Sequence, residues 1–263
     1  MSSTNQNLAG QVALVTGSSR GIGAAIALRL AQHGAHVALN YVNSAAAAEK
    51  VAEQIRALNV KAITIKADVS QEADIKMMFE KVIQEFGQLN IVMSNSGIEH
   101  FGAIPDVTGE QIDQVLSVNV KAQFFVAQQA YKHIANNGRL ILMSSISAQK
   151  GIAEHAVYAA SKAAIQGMIK CLAYDFGPRQ VTVNALAPGG VKTDMYADAA
   201  AKYIPGGSSM SVDEIDDVLS KWSPLNRPGF PDDISGVVAL LASPESQWLT
   251  GQTFHCSGGA HMS

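Results

Sequence analysis

A strand-like segment near the start of the chain runs directly into a glycine-rich turn, and this junction constrains the fold most. Residues 11–17 read "QVALVTG", and residues 16–23 read "TGSSRGIG" before an amphipathic stretch that reaches position 34. A buried strand, a glycine turn and a helix, in that order, form the first unit of many nucleotide-binding α/β sheets. The glycine spacing is G-x-x-x-G-x-G, so the placement between strand and helix carries the prediction more than the glycines alone.

The rest of the chain repeats this alternation of short apolar runs and longer amphipathic stretches. Further strands are predicted at 35–41, 61–67, 89–95, 138–145, 180–188 and 251–259, and helices at 21–34, 45–59, 71–86, 109–136 and 156–177. Strands with almost wholly apolar centres are covered on both faces, and strand–helix alternation implies parallel pairing. We therefore predict an α/β fold, a single doubly wound domain over residues 1–263.

Residues 193–230 interrupt the alternation. This segment is rich in proline and glycine and reads as a helical excursion that leaves the sheet and returns. Such insertions often cover active sites, so we predict a substrate lid. The alternative is a surface elaboration without a role in binding.

Composition and charge exclude several classes of partner. The formal net charge is -3 and no run of Lys and Arg is present, so nucleic acid is not an expected partner. No apolar run is long enough to span a bilayer, and the polar start lacks the apolar stretch of a secretory signal. The two cysteines fit a reducing compartment. We expect a cytoplasmic protein that does not enter a membrane.

The glycine turn is the predicted phosphate site. Glycines permit a tight turn and a close approach of the backbone to a pyrophosphate, and the helix start offers free N–H groups. Arg20 lies inside the turn, where its guanidinium could pair with a phosphate; the alternative is a solvated loop residue. The predicted contacts in this turn are Gly17, Ser19, Arg20, Gly21, Ile22 and Gly23.

The end of the second strand indicates which dinucleotide is bound. Residues 38–45 read "ALNYVNSA", with no acid that could bind the ribose 2′-hydroxyl of NAD. Donors at Tyr41, Asn43 and Ser44 instead favour the 2′-phosphate of NADP. Asp68, followed by Val69, ends the third strand, and its carboxylate could accept from the adenine amino group or cap the helix starting near Ser70.

A tyrosine and a lysine four residues apart carry the predicted chemistry. Tyr158 and Lys162 in "YAASK" share one face of a helix, and a nearby ammonium lowers the pKa of a phenol. Such a pair can pass a proton to a carbonyl oxygen while a nicotinamide supplies hydride. Ser145 ends a strand and could orient the carbonyl, and the amide of Asn119 could hold a water beside Lys162. The alternatives are a surface tyrosine beside a solvated lysine and a structural Asn119.

These motifs together resemble the short-chain dehydrogenase/reductase family. They are "TGSSRGIG", "SNSG" (94–97), "SVN" (117–119), "MSS" (143–145), "YAASK" and "APGG" (187–190). The resemblance implies a Rossmann-type domain with a seven-stranded parallel sheet, assembled as a dimer or tetramer. It implies a tetrad of Asn119, Ser145, Tyr158 and Lys162, with Tyr158 as proton donor. It further implies nicotinamide contacts from Pro188, Gly189, Val191 and Thr193, and adenosine contacts from Asn95, Ser96 and Gly97.

Within the family, the chain resembles fungal polyketide reductases. The similar segments are "SNSG", "KAQFFVAQQAYKHI", "GGVKTDMY", "YIPGG" and "WSPLNRPGFPDDI". These enzymes use NADPH to reduce polyhydroxynaphthalenes, anthrols or versicolorin-like precursors. By this resemblance Tyr203 would stack on a flat aromatic substrate, near Gly190, Met195 and Tyr196 of the lid. The alternative is a tyrosine that packs the lid onto the core.

The chain also departs from that group, at "IEHFG" (98–102) and at "EHAVY" (154–158). His100 and His155 could bind a phenol or quinone oxygen of a larger ring system, or could be loop histidines bonded to backbone. This favours an anthrol over a naphthalene substrate. The other functions considered are a 3-oxoacyl thioester reductase and a non-catalytic nucleotide sensor. The histidines show no metal-ligand spacing, so no metal is expected.

Overall fold

A computed structural model describes residues 6–262, which form one parallel sheet covered by helices on both faces. The sheet has seven strands in the order β3-β2-β1-β4-β5-β6-β7. The strands are β1 (Val12–Val15), β2 (His36–Tyr41), β3 (Ala62–Lys66), β4 (Ile91–Ser94), β5 (Arg139–Met143), β6 (Thr182–Pro188) and β7 (Thr253–Cys256). The predicted doubly wound α/β fold is confirmed.

The helices fill the connections between strands. They are α1 (Gly21–Gln32), α2 (Ala45–Arg56), α3 (Glu72–Phe86), α4 (Gly109–Leu116), α5 (Ala122–His133), α6 (Ala156–Phe176), α7 (Asp194–Ala199), α8 (Val212–Ser220) and α9 (Pro231–Ala242). Within residues 6–262, no helix has both the length and the apolar character needed to cross a membrane.

The helix predicted over 109–136 is present as a continuous helical segment over 109–133, and one further helix, α9, was not predicted. The helix predicted over 109–136 is α4 and α5 joined by a π-helical turn at Ser117–Lys121. The side chain of buried Gln123 explains the wider turn, because its amide donates to the carbonyl of Asn119 at 2.9 Å and to that of Met143 at 2.9 Å. Helix α9 was not predicted. It begins at Pro231, whose missing N–H costs nothing in a first turn, and Asp233 caps it by accepting from Phe230 N at 2.8 Å.

Alternation along β1 shows how the core forms. Val12 and Leu14 belong to an apolar cluster with α3, α5 and α6, whereas Ala13 and Val15 belong to a second cluster with α1, α2 and α9. Successive side chains of a strand point to opposite faces, so every core strand must be apolar on both. This is the physical basis of the nearly continuous apolar runs in the sequence.

The strand order places a crevice beside β1. The chain proceeds outward from β1 to β2 and β3, then returns to β4 on the other side of β1. Ligands of open α/β sheets bind at the carboxyl ends of the strands where the order reverses in this way. The ends of β1, β4 and β5 carry the glycine turn, "SNSG" and Ser145.

The segment after β6 forms a small helical layer of its own. It contains α7, a short turn at Ala200–Tyr203 and α8, and these pack around a separate apolar cluster of Ala200, Ile204 and Ile215. The chain returns to the sheet through a parallel bridge between Val191 and Gly229. The predicted helical excursion is therefore present, and the two ends of the loop are tied together.

Candidate active site

The glycine turn after β1 excludes side chains at its glycines, by backbone conformation at two of them and by close contacts at the third. Gly17 and Gly21 have φ angles of +61° and +56°, which L-residues with a Cβ rarely adopt. A Cβ on Gly23 would lie 2.7 Å from Asn95 Nδ2. The first turn of α1 has no side-chain cap and no acidic residue, so its N–H groups remain available to an anion.

Asn40 holds this turn in place, a role that the sequence analysis missed. Its side chain is fully buried in β2; Oδ1 accepts from Gly17 N at 3.1 Å and Nδ2 donates to Ala67 O at 2.9 Å. Its backbone carbonyl accepts from Ser18 N at 2.9 Å. An asparagine inside an apolar strand is the signal that could have indicated this role, because asparagine is depleted in strands.

Other predicted cofactor residues surround the same crevice. Tyr41 ends β2, and Asn43 and Ser44 follow it with partly or fully exposed side chains. Arg20 is exposed and forms an ion pair with Asp194 of the lid at 3.0 Å. Asp68 accepts from Ser70 N at 2.9 Å, so its carboxylate supports the turn before α3; the helix begins at Glu72, and Asp68 is not its N-cap.

The residues predicted to contact the adenosine and the nicotinamide lie at the ends of β4 and β6, respectively. The amide of Asn95 donates to Thr16 O at 3.0 Å and Gly17 O at 3.1 Å, and thereby joins the strand to the turn. Thr193 Oγ1 accepts from Tyr196 N at 3.3 Å and caps α7. The remaining predicted contacts lie at or after the carboxyl ends of β1, β3, β4 and β6 and are half-buried or buried: Ser19, Ile22, Val69, Ser96, Gly97, Pro188, Gly189 and Val191.

The structure brings Ser145, Tyr158 and Lys162 together. Tyr158 and Lys162 are both buried on α6, and the ammonium lies 5.5 Å from the centroid of the phenol ring. Lys162 Nζ donates to Met143 O at 3.2 Å, and the hydroxyl of Ser145, just after β5, bonds to Tyr158. A Cβ on Gly97 would lie 3.2 Å from Lys162 Nζ, so this position leaves room for the ammonium.

The pKa of Tyr158 is raised well above its ordinary value, and the prediction that it is lowered was wrong. Burial is the main cause, followed by the charges of Glu99 and Tyr203, whereas the hydroxyl of Ser145 lowers it. Burial likewise lowers the pKa of Lys162 to about 8. Removal from water disfavours the charged form of both groups, so the phenol is protonated at neutral pH.

The amide of Asn119 makes the structural bonds that the alternative interpretation expected. Its Oδ1 accepts from Ile98 N at 2.9 Å, and Nδ2 donates to Ile98 O at 2.9 Å and to Ser161 Oγ at 3.1 Å. Both amide hydrogens are therefore committed to protein acceptors. The side chain fixes the loop after β4 against α6, and an amide-bound water beside Lys162 stays a prediction, which only the second lone pair of Oδ1 could serve.

A cluster of polar and aromatic side chains joins the lid to the loop after β4. Tyr203 Oη lies 3.3 Å from Glu99 Oε1 and 3.4 Å from His155 Nε2, and its ring packs edge-on against Phe101 at 5.1 Å. His155 is 1% exposed and its Nδ1 lies 2.9 Å from His100 O, which matches the alternative of a backbone-bonded histidine. In the structure Tyr203 packs the lid onto the core.

The other predicted substrate residues are more open. Met195 is exposed on α7, and Gly190 is exposed after β6. The hydroxyl of Tyr196 donates to Asp216 at 2.9 Å, and Asp216 also pairs with Lys192. Both ring nitrogens of His100 are buried and lack a hydrogen-bond partner among residues 6–262.

A surface cavity of about 380 Å³ lies away from this site, at the amino-terminal end of β5. It is lined by Asn137, Arg139, Gln180, Gln247 and Trp248, far along the sheet from Tyr158. Over the described range of 6–262, no group of three or more His, Cys, Asp or Glu side chains is placed to hold a metal ion.

Comparisons with known proteins agree with this geometry. A family model described as enoyl-(acyl carrier protein) reductase matches residues 17–261. A probable tetrahydroxynaphthalene reductase of Zymoseptoria tritici is 48% identical over 97% of this chain and 96% of its own length. Versicolorin reductase 1 of Dothistroma septosporum is 49% identical over 99% of both chains.

A solved structure shows the same fold with a nucleotide bound. A short-chain dehydrogenase of Burkholderia cenocepacia in complex with NADP has a TM-score of 0.87 and 38% identity, over 97% of this chain and 99% of that one. The motifs, the fold and these relatives lead to one conclusion: the chain belongs to the short-chain dehydrogenase/reductase family.

Proposed function

We propose that this protein is an NADPH-dependent reductase of polycyclic aromatic polyketides in their keto form. The substrate is an anthrol derived from a hydroxyanthraquinone, or a polyhydroxynaphthalene. The observation that carries the proposal is the buried Tyr158, which is bonded by Ser145 and lies below the ammonium of Lys162. A phenol kept protonated at neutral pH is suited to give its proton to a carbonyl oxygen during reduction.

The roles of the individual residues follow from their positions. Ser145 orients the substrate carbonyl toward Tyr158, and the phenol donates the proton as negative charge develops on the carbonyl oxygen. Lys162 stabilises the phenolate that remains, because its ammonium is held within 5.5 Å of the ring. Asn119 positions the loop after β4 through its two bonds to Ile98.

The glycine turn fits a dinucleotide. Its backbone has no room for a Cβ at Gly23, and the uncapped start of α1 suits a pyrophosphate. Arg20, Tyr41, Asn43 and Ser44 would hold the 2′-phosphate, which explains why no acid follows β2. NADPH, when bound, supplies a hydride to the carbonyl carbon.

The choice of substrate rests on the relatives and on the lid. The two relatives of 48% and 49% identity carry names of enzymes that reduce fused aromatic ring systems. Tyr203 and Phe101 form an aromatic wall beside the site, and their rings are 5.1 Å apart at centroids. Aromatic side chains are a suitable surface for a flat ring.

The main rival is reduction of a 3-oxoacyl thioester, because the matching family model is described by acyl-carrier-protein chemistry. Both functions use the same proton donor, so activity with the right substrate must decide. The test supplies NADPH with a chemically reduced hydroxyanthraquinone, or with an acetoacetyl thioester, and identifies products by mass spectrometry. We expect dihydroanthracenone and little thioester turnover. Fast thioester turnover without ring reduction would contradict the proposal.

We further propose that the enzyme acts in the cytoplasm as a homodimer or homotetramer. The two cysteines are free, as suits a reducing compartment. Phe124, Tyr131 and Tyr174 expose aromatic rings on α5 and α6, a pattern typical of surfaces that associate. Sedimentation analysis of the purified protein tests the assembly, and a monomer at micromolar concentration would contradict it.

A further inference from the structure

A carboxyl group that the family tetrad does not include lies close to the proposed proton donor. Glu99 is 17% exposed, and Oε1 lies 3.2 Å from His155 Nε2 and 3.3 Å from Tyr203 Oη. The ring of His155 in turn lies 4.6 Å from that of Tyr158, centroid to centroid. Glu99, His155 and Tyr203, here called the acceptor cluster, therefore adjoin the site where a substrate ring would lie.

Counting hydrogens shows that this acceptor cluster is short of a donor. His155 Nδ1 lies 2.9 Å from the carbonyl of His100, which can only accept, so Nδ1 carries the hydrogen. Burial lowers the pKa of His155 to about 4, so the ring is neutral and Nε2 is an acceptor at neutral pH. When Glu99 is ionised, Nε2 and the carboxylate oxygen, both acceptors, face each other with only the single hydrogen of Tyr203 between them.

The charges around Glu99 do not remove this shortage. Lys162 and Lys202 attract the carboxylate, and the backbone N–H of His100 bonds to it. None of these three groups supplies a hydrogen to His155 Nε2. Burial opposes these effects and raises the pKa of Glu99 to about 7, so near neutral pH about half of the molecules carry a proton on Glu99 that can bond to His155 Nε2. The shortage belongs to the ionised form, and a hydroxyl of a ligand would take the place of that proton. A buried acceptor without a donor is costly, and a ligand that brings a hydroxyl removes that cost.

We propose, resting on the function above, that the acceptor cluster is a specificity determinant that binds a phenolic hydroxyl of the substrate. A phenol donates a strong hydrogen bond, which is what the ionised carboxyl and His155 Nε2 both require. An ionised substrate group would be repelled by the same carboxylate. The aromatic wall of Phe101 and Tyr203 matches the flat ring that carries such a hydroxyl. The cluster therefore selects hydroxylated ring ketones over their deoxy analogues.

The experiment compares β-tetralone with its ring-hydroxylated derivatives as substrates, in the wild type and in Glu99→Gln. The glutamine keeps the size of the side chain but removes the charge, replaces one acceptor oxygen by an NH2 donor that can bond to His155 Nε2, and leaves only an uncharged oxygen as acceptor. Glu154→Gln is the matched control, since it makes the same change on an exposed side chain next to His155. The quantity compared is the ratio of kcat/KM for the hydroxylated and the unsubstituted ketone.

We expect the wild type and the control to prefer at least one hydroxylated derivative by about tenfold or more, the effect of one hydrogen bond to a charged group. Glu99→Gln should reduce that ratio about tenfold. An equal loss on all ketones, which would indicate a structural role, overturns the inference, as does a wild type without preference. If no ring ketone is reduced while a thioester is, the proposed function itself fails.

Discussion

Gly23→Ala tests whether the tight turn after β1 is built for a nucleotide. An added Cβ at position 23 would lie 3.0 Å from the carbonyl carbon of Gly17, closer still to its oxygen, and 2.7 Å from Asn95 Nδ2. The atoms it meets at Gly17 are backbone atoms, so relief requires the turn itself to move. Gly236→Ala is the matched control, because it also lies in a helix and its Cβ would have nothing within 4 Å.

The expected change in the free energy of unfolding combines a gain in helix propensity with a cost of overpacking. Alanine is favoured over glycine inside a helix by about 1 kcal/mol, a gain that the control realises in full. Overpacking at Gly23 costs about 1–3 kcal/mol, so Gly23→Ala should be less stable than the control by about that amount. Displacing the turn should also weaken NADPH binding by about tenfold or more, which is about 1.4 kcal/mol.

Urea unfolding measures the first quantity, and titration of NADPH fluorescence measures the second. The control should unfold at slightly higher urea than the wild type and bind NADPH as the wild type does. If Gly23→Ala matched the control in both measurements, the turn would be more adaptable than the structure implies, and its glycines would no longer support a phosphate site.

Three further predictions follow from other parts of the molecule. Tyr158→Phe should lower kcat by about 10²-fold or more, as loss of a general acid does, while the Kd for NADPH measured by fluorescence changes less than about threefold. Near-normal turnover would show that Tyr158 is not the proton donor. Asn40→Leu should lower the free energy of unfolding by about 2–6 kcal/mol in urea, because Gly17 N and Ala67 O each lose their buried partner, and an unchanged midpoint would show that the turn does not depend on it. Glu99→Gln should become increasingly stable relative to the wild type as pH rises from about 4.5 to about 7, by up to about 3 kcal/mol, since a carboxyl whose pKa is raised on folding destabilises the native state above its unfolded pKa. The buried His155 acts in the opposite sense, because its pKa is lowered to about 4 and folding gains stability between that pH and about 6.5. The difference between variant and wild type, from unfolding curves at several pH values, removes the part of the His155 effect that both proteins share and reports Glu99 together with its coupling to His155. A pH-independent difference would show that Glu99 does not titrate with a raised pKa.

The strands could be predicted because their physical requirement is simple. Helices cover both faces of the sheet, so each strand is a short run of apolar residues, and the predicted runs contain all the observed strands. The π-helical turn after α4 could not be predicted in this way. It depends on the bond from Gln123 to Met143 of β5, a contact that exists only once the helix is packed on the sheet.

In the site, too, local features could be predicted from the sequence and features that depend on tertiary packing could not. The spacing of Tyr158 and Lys162 is local to one helix, and that spacing places both on the face that is buried. The direction of the pKa shift of Tyr158 depends on how deeply α6 is buried and on Glu99, and neither is visible in a local pattern. The acceptor cluster draws Glu99, His155 and Tyr203 from three separate segments, so only the folded chain shows that they share a hydrogen.

The most direct test of the central claim follows the hydride itself. The protein is given a chemically reduced hydroxyanthraquinone together with NADPH that carries deuterium on one or the other face of the nicotinamide C4, and the product is examined by mass spectrometry. We predict that one of the two labelled cofactors transfers a single deuterium to a ring carbon, and that Tyr158→Phe abolishes this transfer within the same reaction time. Ring product without deuterium from either cofactor, or undiminished transfer by Tyr158→Phe, would contradict the account.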